Sequence, residues 1–294
     1  MTYLLAIGDR AYSSWSLRAW LLFDVFGVPV KPRRAQLNTP AFGELLAEFP
    51  PACTVPAMQT PDGGVLYDTL AIAEELVTRH PDLPLWPPAA PERGLARSIV
   101  AEMHAGYLTL RTDCPMNLRV AYRGFLPSDE TLADMARIEV LWQAARTART
   151  AEGPWLFGAY TIADAFFAPI AARMATYGLP VGAAARAYIE AHLADPSFRR
   201  WRAMALVDGP DQKKYARPFE QVDWPGPRPI PARASPRSDA VNTACPFSGK
   251  PVTHFLETSG RVIGFCNAFC RDKAVADPLA WPAVGHLLQM EDAP

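Results

Sequence analysis

Tyr12-Ser13-Ser14-Trp15-Ser16-Leu17-Arg18 decides how this chain is read. It follows the apolar run Tyr3-Leu4-Leu5-Ala6-Ile7, which predicts a buried strand. It opens a helical pattern of Leu17, Trp20, Leu21, Leu22, Val25 and Phe26, which Gly27 stops. A strand therefore delivers hydroxyls to a helix N-terminus. Serine caps such ends for structural reasons alone, by accepting from free backbone N–H groups. The same geometry also carries chemistry. A hydroxyl there donates to a thiolate, and the helix dipole adds partial positive charge, so a bound thiol loses its proton more easily. The thiolate is the nucleophile, so that shift controls reactivity.

Working outward, residues 28–37 predict a second strand and residues 40–48 a short helix. Residues 55–59 and 65–67 flank Pro61-Asp62-Gly63-Gly64, a hairpin signal. Residues 70–78 predict a helix with Leu70, Ala73, Leu76 and Val77 apolar. Within Thr54-Val55-Pro56-Ala57-Met58, the Val55-Pro56 bond is of the kind that tolerates cis, which exposes the backbone of Val55. Prolines at 81, 84, 87 and 88 break any helix there and mark a first linker. The following residues, to about 207, are helical in pattern. Prolines at 218, 225, 227, 229, 231 and 236 mark a second, extended linker. The expected organisation is 1–80, 91–210, a Pro-rich linker at 211–240 and a small cysteine module at 241–290.

The serine segment, the Val55-Pro56 turn and Asp68-Thr69, in that order and register, resemble the N-terminal domain of the glutathione transferases. The serine-type, zeta-class motif Ser-Ser-Cys-Ser is similar: Ser13 and Ser14 match its leading serines and Ser16 its trailing one. Trp15 stands in the cysteine position, which removes the thiol that isomerase or thiol-transferase chemistry uses. The resemblance implies a thioredoxin-like α/β domain followed by an all-α domain. It implies a cytoplasmic, detoxifying homodimer, with glutathione as co-substrate and an apolar electrophile as second substrate. It assigns glutathione binding to Ser13, Ser14, Trp15, Val55, Pro56, Asp68 and Thr69, with Ser13 favoured over Ser14 as thiolate partner. Asp68 and Thr69 replace the usual pair that holds the γ-glutamyl group. The usual basic residue before Val-Pro is replaced by Cys53-Thr54, which leaves Arg33 or Arg34 as substitutes for the glycyl carboxylate. Cys53 itself is expected to be buried and neutral.

Thr161-Ile162-Ala163-Asp164 before an apolar run is a capping-box pattern, so Asp164 is assigned to folding. It also resembles the capping motif of the transferase helical domain, which extends the likeness to about residue 210. The second substrate is expected near Met103, His104, Tyr107, Met116, Asn117 and Tyr122. Their mixture of methionine and aromatic side chains suits an apolar ligand.

Cys245, Cys266 and Cys270 have spacing Cys-x20-Cys-x3-Cys, with a hairpin signal around Gly260 between the first two. The last two share a face at a helix start. The segment resembles treble-clef modules of the YHS and TRASH type, in which three cysteines commonly bind zinc. About fifty residues make a weak core without such a staple. His254, Asp272, His286 or water are candidates for a fourth ligand. Reduced thiols without metal, or a Cys266–Cys270 disulfide, remain open alternatives.

Half of the 294 residues are hydrophobic, enough for two or three domains, and the formal net charge is −1. Neither nucleic acid nor an anionic membrane is expected as partner. No apolar run approaches the roughly 18–20 residues that span a bilayer. The apolar N-terminus lacks a basic leader, so the cytoplasm is the expected compartment. Five cysteines, an odd count, argue against a disulfide framework. Two rival functions stand beside the transferase: glutathione-dependent reduction of peroxides or disulfides, and a non-catalytic scaffold whose last module senses metal or redox state.

Overall fold

A computed structural model describes residues 2–289. The expected span ends at residues 1 and 290 lie outside the described residues. The chain forms two compact units. One runs up to Leu193 and includes Asp211–Pro225; the other is Ala194–Pro210 with the chain from Gly226 onward.

The first unit opens with β1 (Tyr3–Ile7), α1 (Ser14–Asp24), β2 (Val30–Arg34), α2 (Pro40–Ala47), β3 (Ala57–Gln59), β4 (Val65–Tyr67) and α3 (Thr69–Arg79). The strands order as β2-β1-β3-β4. β1 and β2 are parallel with Leu5 opposite Pro32; β3 runs antiparallel to β1 and β4 to β3. This is a thioredoxin-like domain. Leu5, Ala6 and Ile7 are fully buried, as a strand covered on both faces requires. Ala6, Ala35, Leu45, Leu46, Phe49, Val55 and Ala57 pack together in one buried cluster. Helix α1 begins at Ser14, three residues before Leu17 opens its apolar pattern, because Ser13 caps it. Beyond its end, Gly27 at φ +68° lets the Val28 N–H reach the Phe23 carbonyl. Strand β2 is shorter than expected, since beyond it the Leu37 N–H leaves the sheet for the Asp9 carboxylate at 2.9 Å.

The helical part of this unit holds α4 (Ala90–Ala105), α5 (Leu108–Asp113), a short β5 (Ala121–Arg123), α6 (Asp129–Ala148), α7 (Ile162–Thr176) and α8 (Ala183–Ala194). Helix α7 is buried along almost its whole length and packs against α1 and α4. The capping box is formed between Thr161 and Asp164. Asp164 accepts from the Leu156 and Thr161 N–H groups at 3.1 and 2.8 Å. It also accepts from the Thr161 and Tyr188 hydroxyls at 3.1 and 2.9 Å. Residues 211–225, inside the span expected to be linker, fold onto this unit. Their β6 (Glu220–Val222) pairs with β5, the Gln212 N–H donates to the Tyr12 hydroxyl at 3.1 Å, and Tyr215 stacks on Tyr12 with ring centroids 4.6 Å apart.

The second unit contains α9 (Pro196–Val207), β7 (Ala232–Ser235), β8 (His254–Thr258), β9 (Arg261–Phe265), α10 (Ala268–Ala276) and α11 (Pro282–Gln289). The expected hairpin is β8–β9, turning at Ser259-Gly260 with positive φ at both residues, and β7 adds a third antiparallel strand. α9 packs against α10, and Arg199 holds Asp277 through bonds of 2.9 and 2.7 Å. Leu256, Ile263, Phe265, Ala274 and Val284 are fully buried, so the module has a small core of its own. No helix among the described residues is long and apolar enough to cross a membrane.

Candidate functional site

The turn from β1 to α1 is held by three serine hydroxyls. Ser16 is fully buried and its Oγ accepts from the Gly8 N–H at 3.0 Å, which ties strand to helix. The Ser13 Oγ accepts from the Ser16 N–H at 3.3 Å and lies 2.8 Å from the Ser16 Oγ. When Ser16 donates across that pair, the Ser13 proton is left for a ligand. Ser14 differs: its Oγ accepts from Arg173 Nη2 at 3.3 Å, so its own proton is also free to be donated.

Both serines line a cavity of about 430 Å³ with Trp15, Val55, Met116 and Arg173. A second cavity of about 290 Å³ is lined by Trp15, Thr54, Val55, Pro56, Asp68 and Thr69. Trp15, Thr54 and Val55 border both. All seven residues expected to bind glutathione thus meet at two adjoining cavities of the first unit. The Val55–Pro56 peptide bond is cis.

At the smaller cavity, Asp68 caps α3 with Oδ1 accepting from the Leu70 N–H at 2.7 Å. Its other oxygen meets His104 Nε2 at 3.0 Å. Asp68 holds φ +87°, a conformation that costs a non-glycine residue on the order of 1–3 kcal/mol and that tends to occur at binding sites. Next to it, Thr69 Oγ1 is buried without a hydrogen-bond partner. An orphaned hydroxyl at the first turn of a helix fits a ligand carboxylate.

Of the residues expected around the second substrate, Met116 lines the larger cavity; Met103, His104, Tyr107, Asn117 and Tyr122 do not. His104 packs edge-on to Trp15, 5.0 Å between ring centroids, beside Asp68. Met103 is fully buried. The Tyr107 hydroxyl donates to Glu102, Asn117 Oδ1 accepts from the Arg119 N–H, and the Tyr122 hydroxyl accepts from the Arg217 N–H. Arg33 and Arg34 pair with Glu48 and Asp9, and neither lines the two cavities. Cys53 is exposed, against expectation, because it lies on the loop between α2 and β3 where Pro51 and Thr54 also face solvent.

Among the residues of the larger cavity that carry no assignment from the sequence are Arg111, Arg173 and Tyr215. Arg173 is buried, donating from Nε to the Cys114 carbonyl at 2.9 Å and from Nη1 to the Pro169 carbonyl at 3.2 Å. Burial first, and then repulsion from Arg111, bring its pKa down to about 10. Arg18 lies nearby, fully buried, with none of its three nitrogens hydrogen-bonded. Burial and the neighbouring guanidiniums push its pKa well down. The guanidiniums of Arg18 and Arg111 sit 4.3 and 4.7 Å from the Trp15 ring centroid.

In the second unit, the sulfurs of Cys245, Cys266 and Cys270 lie within 4.8 Å of one another. Cys245 begins a tight turn whose Ser248 and Gly249 N–H groups donate to its carbonyl. Cys266 follows β9, and Cys270 sits in the first turn of α10 behind an Asn267 cap. The Cys266 sulfur lies 3.1 Å from Ser248 Oγ and accepts from Asn267 Nδ2 at 3.3 Å. Burial raises the Cys245 thiol, but the N–H groups of Cys266 and Phe247 outweigh it and bring its pKa to about 7. Burial pushes Cys270 up to about 11. Zinc–sulfur bonds of about 2.3 Å put tetrahedral ligands roughly 3.8 Å apart, and the Cys266 and Cys270 sulfurs are 4.0 Å apart with no disulfide between them. The donor set fits a soft cation. Neither His254, which meets Thr253, nor Asp272, which pairs with Arg271, nor His286 joins the group.

Residues 12–79 match the family model described as glutathione S-transferase, N-terminal domain. No curated protein matches the chain in sequence. Among solved structures, a glutathione transferase homolog from Burkholderia with bound glutathione is 22% identical, covers 71% of this chain and 100% of its own, with a TM-score of 0.51. A maleylacetoacetate isomerase from Anaeromyxobacter dehalogenans 2CP-1, with glutathione in its active site, is 24% identical over 71% of this chain and 98% of its own, at 0.52. A glutathione transferase from Methylococcus capsulatus is 19% identical over 70% and 100%, at 0.53. Residues 12–79 are thus a glutathione S-transferase N-terminal domain, in a chain that carries the fold of these transferases.

Proposed function

We propose that the protein is a cytoplasmic glutathione transferase. In this reading glutathione lies across the two adjoining cavities. Its γ-glutamyl carboxylate meets Thr69 and the N-terminus of α3, its amine meets Asp68, and its cysteinyl backbone pairs with Val55. Ser13 or Ser14 donates to the thiolate at the N-terminus of α1, and the thiolate attacks an electrophile in the larger cavity. The observation that carries this reading is the pair of buried serine hydroxyls beside a cavity bordered by Val55 and Trp15, with the Ser14 proton available and the Ser13 proton available when Ser16 donates to it. The glutathione bound in the Burkholderia and Anaeromyxobacter structures supports it.

Calorimetric titration is the test. Glutathione should bind in the micromolar-to-millimolar range, roughly −4 to −8 kcal/mol. Several millimolar glutathione giving neither heat nor protection from thermal unfolding would overturn the reading. A panel of electrophiles then separates a transferase from its rivals: binding without turnover favours a scaffold, and turnover of peroxides alone favours a reductase. Light scattering of the same sample reads the homodimer that belongs to this reading.

The Cys245, Cys266 and Cys270 cluster supports a second site, for zinc or another thiophilic ion, with an open fourth position. Protein kept reduced and never exposed to chelator should contain about one metal per chain. Chelation should speed hydrogen exchange in the second unit and leave glutathione binding intact, because the serines lie in the first. Metal below about a tenth of an equivalent, with no uptake of added zinc, would leave a thiol cluster held by packing alone.

A further inference from the structure

The larger cavity has apolar walls but a charged border. Leu108, Pro115 and Met116 supply apolar surface, and Leu37 and Phe42 supply more across the cavity. Arg111 and Arg173 both line it, and Arg18 lies nearby under Trp15. Among the described residues no carboxylate forms an ion pair with any of these three guanidiniums. Burial and mutual repulsion disfavour the charged form of Arg18 and Arg173. Three cations gathered without a counter-ion beside a cavity is an unbalanced arrangement, since buried charges are ordinarily paired. A bound anion would balance it.

The three do not have equal freedom. Arg173 already donates to the Cys114 and Pro169 carbonyls and to Ser14. Arg18 is fully enclosed. Arg111 is half-buried, makes no side-chain hydrogen bond, and presents its planar fork at the cavity against Trp15. Such a fork matches a carboxylate with two parallel bonds.

We propose that the electrophile taken by this cavity carries a carboxylate, which Arg111 holds while the apolar body of the molecule lies against Leu108, Pro115 and Met116. Arg173 adds a fixed positive field and orients Ser14. This inference rests on the reading of the site as a glutathione transferase site. For an aryl halide bearing a carboxylate, the glutathione sulfur forms a bond to the halogenated carbon and the carbon–halogen bond breaks. The halide leaves with the bonding electrons, and the thiol proton passes to solvent.

Binding of the finished conjugates reads the cavity without turnover. The probes are S-(4-carboxy-2-nitrophenyl)glutathione, its 4-carboxamide counterpart of the same shape, and glutathione alone, each titrated calorimetrically. Wild-type protein should hold the carboxylate conjugate roughly tenfold or more tighter than the carboxamide, as one charge-assisted pair allows. Arg111→Gln should erase that preference while leaving the affinity for glutathione unchanged, and Arg111→Lys should keep part of it. Equal binding of the two conjugates to wild-type protein, or a preference that survives in Arg111→Gln, would overturn the inference while the glutathione site stands. Failure of glutathione itself to bind would overturn the reading of the site and this inference with it.

Discussion

Replacing Asp164 with alanine should destabilise the first unit by about 3 kcal/mol or more, because it strips the partner from two buried N–H groups and two hydroxyls at once. The carboxylate is fully buried and joins three places: the N-terminus of α7, the Leu156 backbone before it, and Tyr188 on α8. Against a typical total stability of about 5–15 kcal/mol, that loss should show as poor soluble yield and a much lower denaturant midpoint. Asp164→Asn keeps two acceptor lone pairs and should lose less. The pair of variants also reads a pH effect. Burial pushes the Asp164 pKa up to about 6, above the ordinary 3.8, against four hydrogen bonds that pull it down. The native state therefore holds a proton between about pH 4 and 6 that the unfolded chain has released. That contribution is complete below pH 4 and is lost as pH rises through 6. Asp164→Asn should lack this slope. A midpoint within about 0.5 kcal/mol of wild type for Asp164→Ala would remove Asp164 from the folding role given to it.

Most of the first unit was legible because its signals are local. Five apolar residues make β1, Ser13 and Gly27 punctuate α1, and Pro61-Asp62-Gly63-Gly64 turns the hairpin. Thr161 and Asp164 mark the start of the buried helix. The residues proposed for glutathione each sit at an element boundary, where cap or turn chemistry leaves a signature in the sequence. What the sequence hid depends on distant pairing. Tyr215 reaches the cavity through a segment whose only strand, β6, pairs three residues with β5 about a hundred positions earlier. A run so rich in proline carries no periodicity to announce that docking. Arg111 gave no signal, because nothing in a short helix tells which element it will face. Arg173 did give one. It interrupts Phe166-Phe167-Ala168-Pro169-Ile170-Ala171-Ala172, a stretch with no polar face, and a charge placed there must find buried partners or a cavity. Of the residues expected around the second substrate, only Met116 lines the larger cavity. Met103, Tyr107, Asn117 and Tyr122 have the right chemistry but spend it on packing and on hydrogen bonds within their own unit.

Ser13→Ala and Ser14→Ala should each be expressed and folded, and at least one should move the pH–rate profile. If the serine hydroxyl donates to the thiolate, removing it takes away a hydrogen bond to a charged group, about 1.5–3 kcal/mol. That converts to roughly one to two pKa units on bound glutathione. The thiolate is the reactive form, so the ascending limb of the profile should move to higher pH by that amount. Near neutral pH the rate should fall roughly ten- to a hundredfold while glutathione affinity changes little. The two serines can be told apart by a second readout. The Ser13 Oγ is the cap of α1, accepting from the Ser16 N–H, so Ser13→Ala should also lose about 1 kcal/mol of stability. Ser14 caps nothing; its oxygen accepts from Arg173 at the wall of the cavity, where water can take its place, so Ser14→Ala should cost less stability than Ser13→Ala. A shift in Ser14→Ala alone would make Arg173 part of thiolate activation, since that guanidinium occupies the serine oxygen and turns its proton outward. A shift in Ser13→Ala alone would instead trace activation to the Ser16 and Gly8 chain, which holds the Ser13 oxygen from the strand side. An unchanged profile in both variants would take serine out of the mechanism and leave the N-terminus of α1 and the arginine field to lower the thiol pKa unaided.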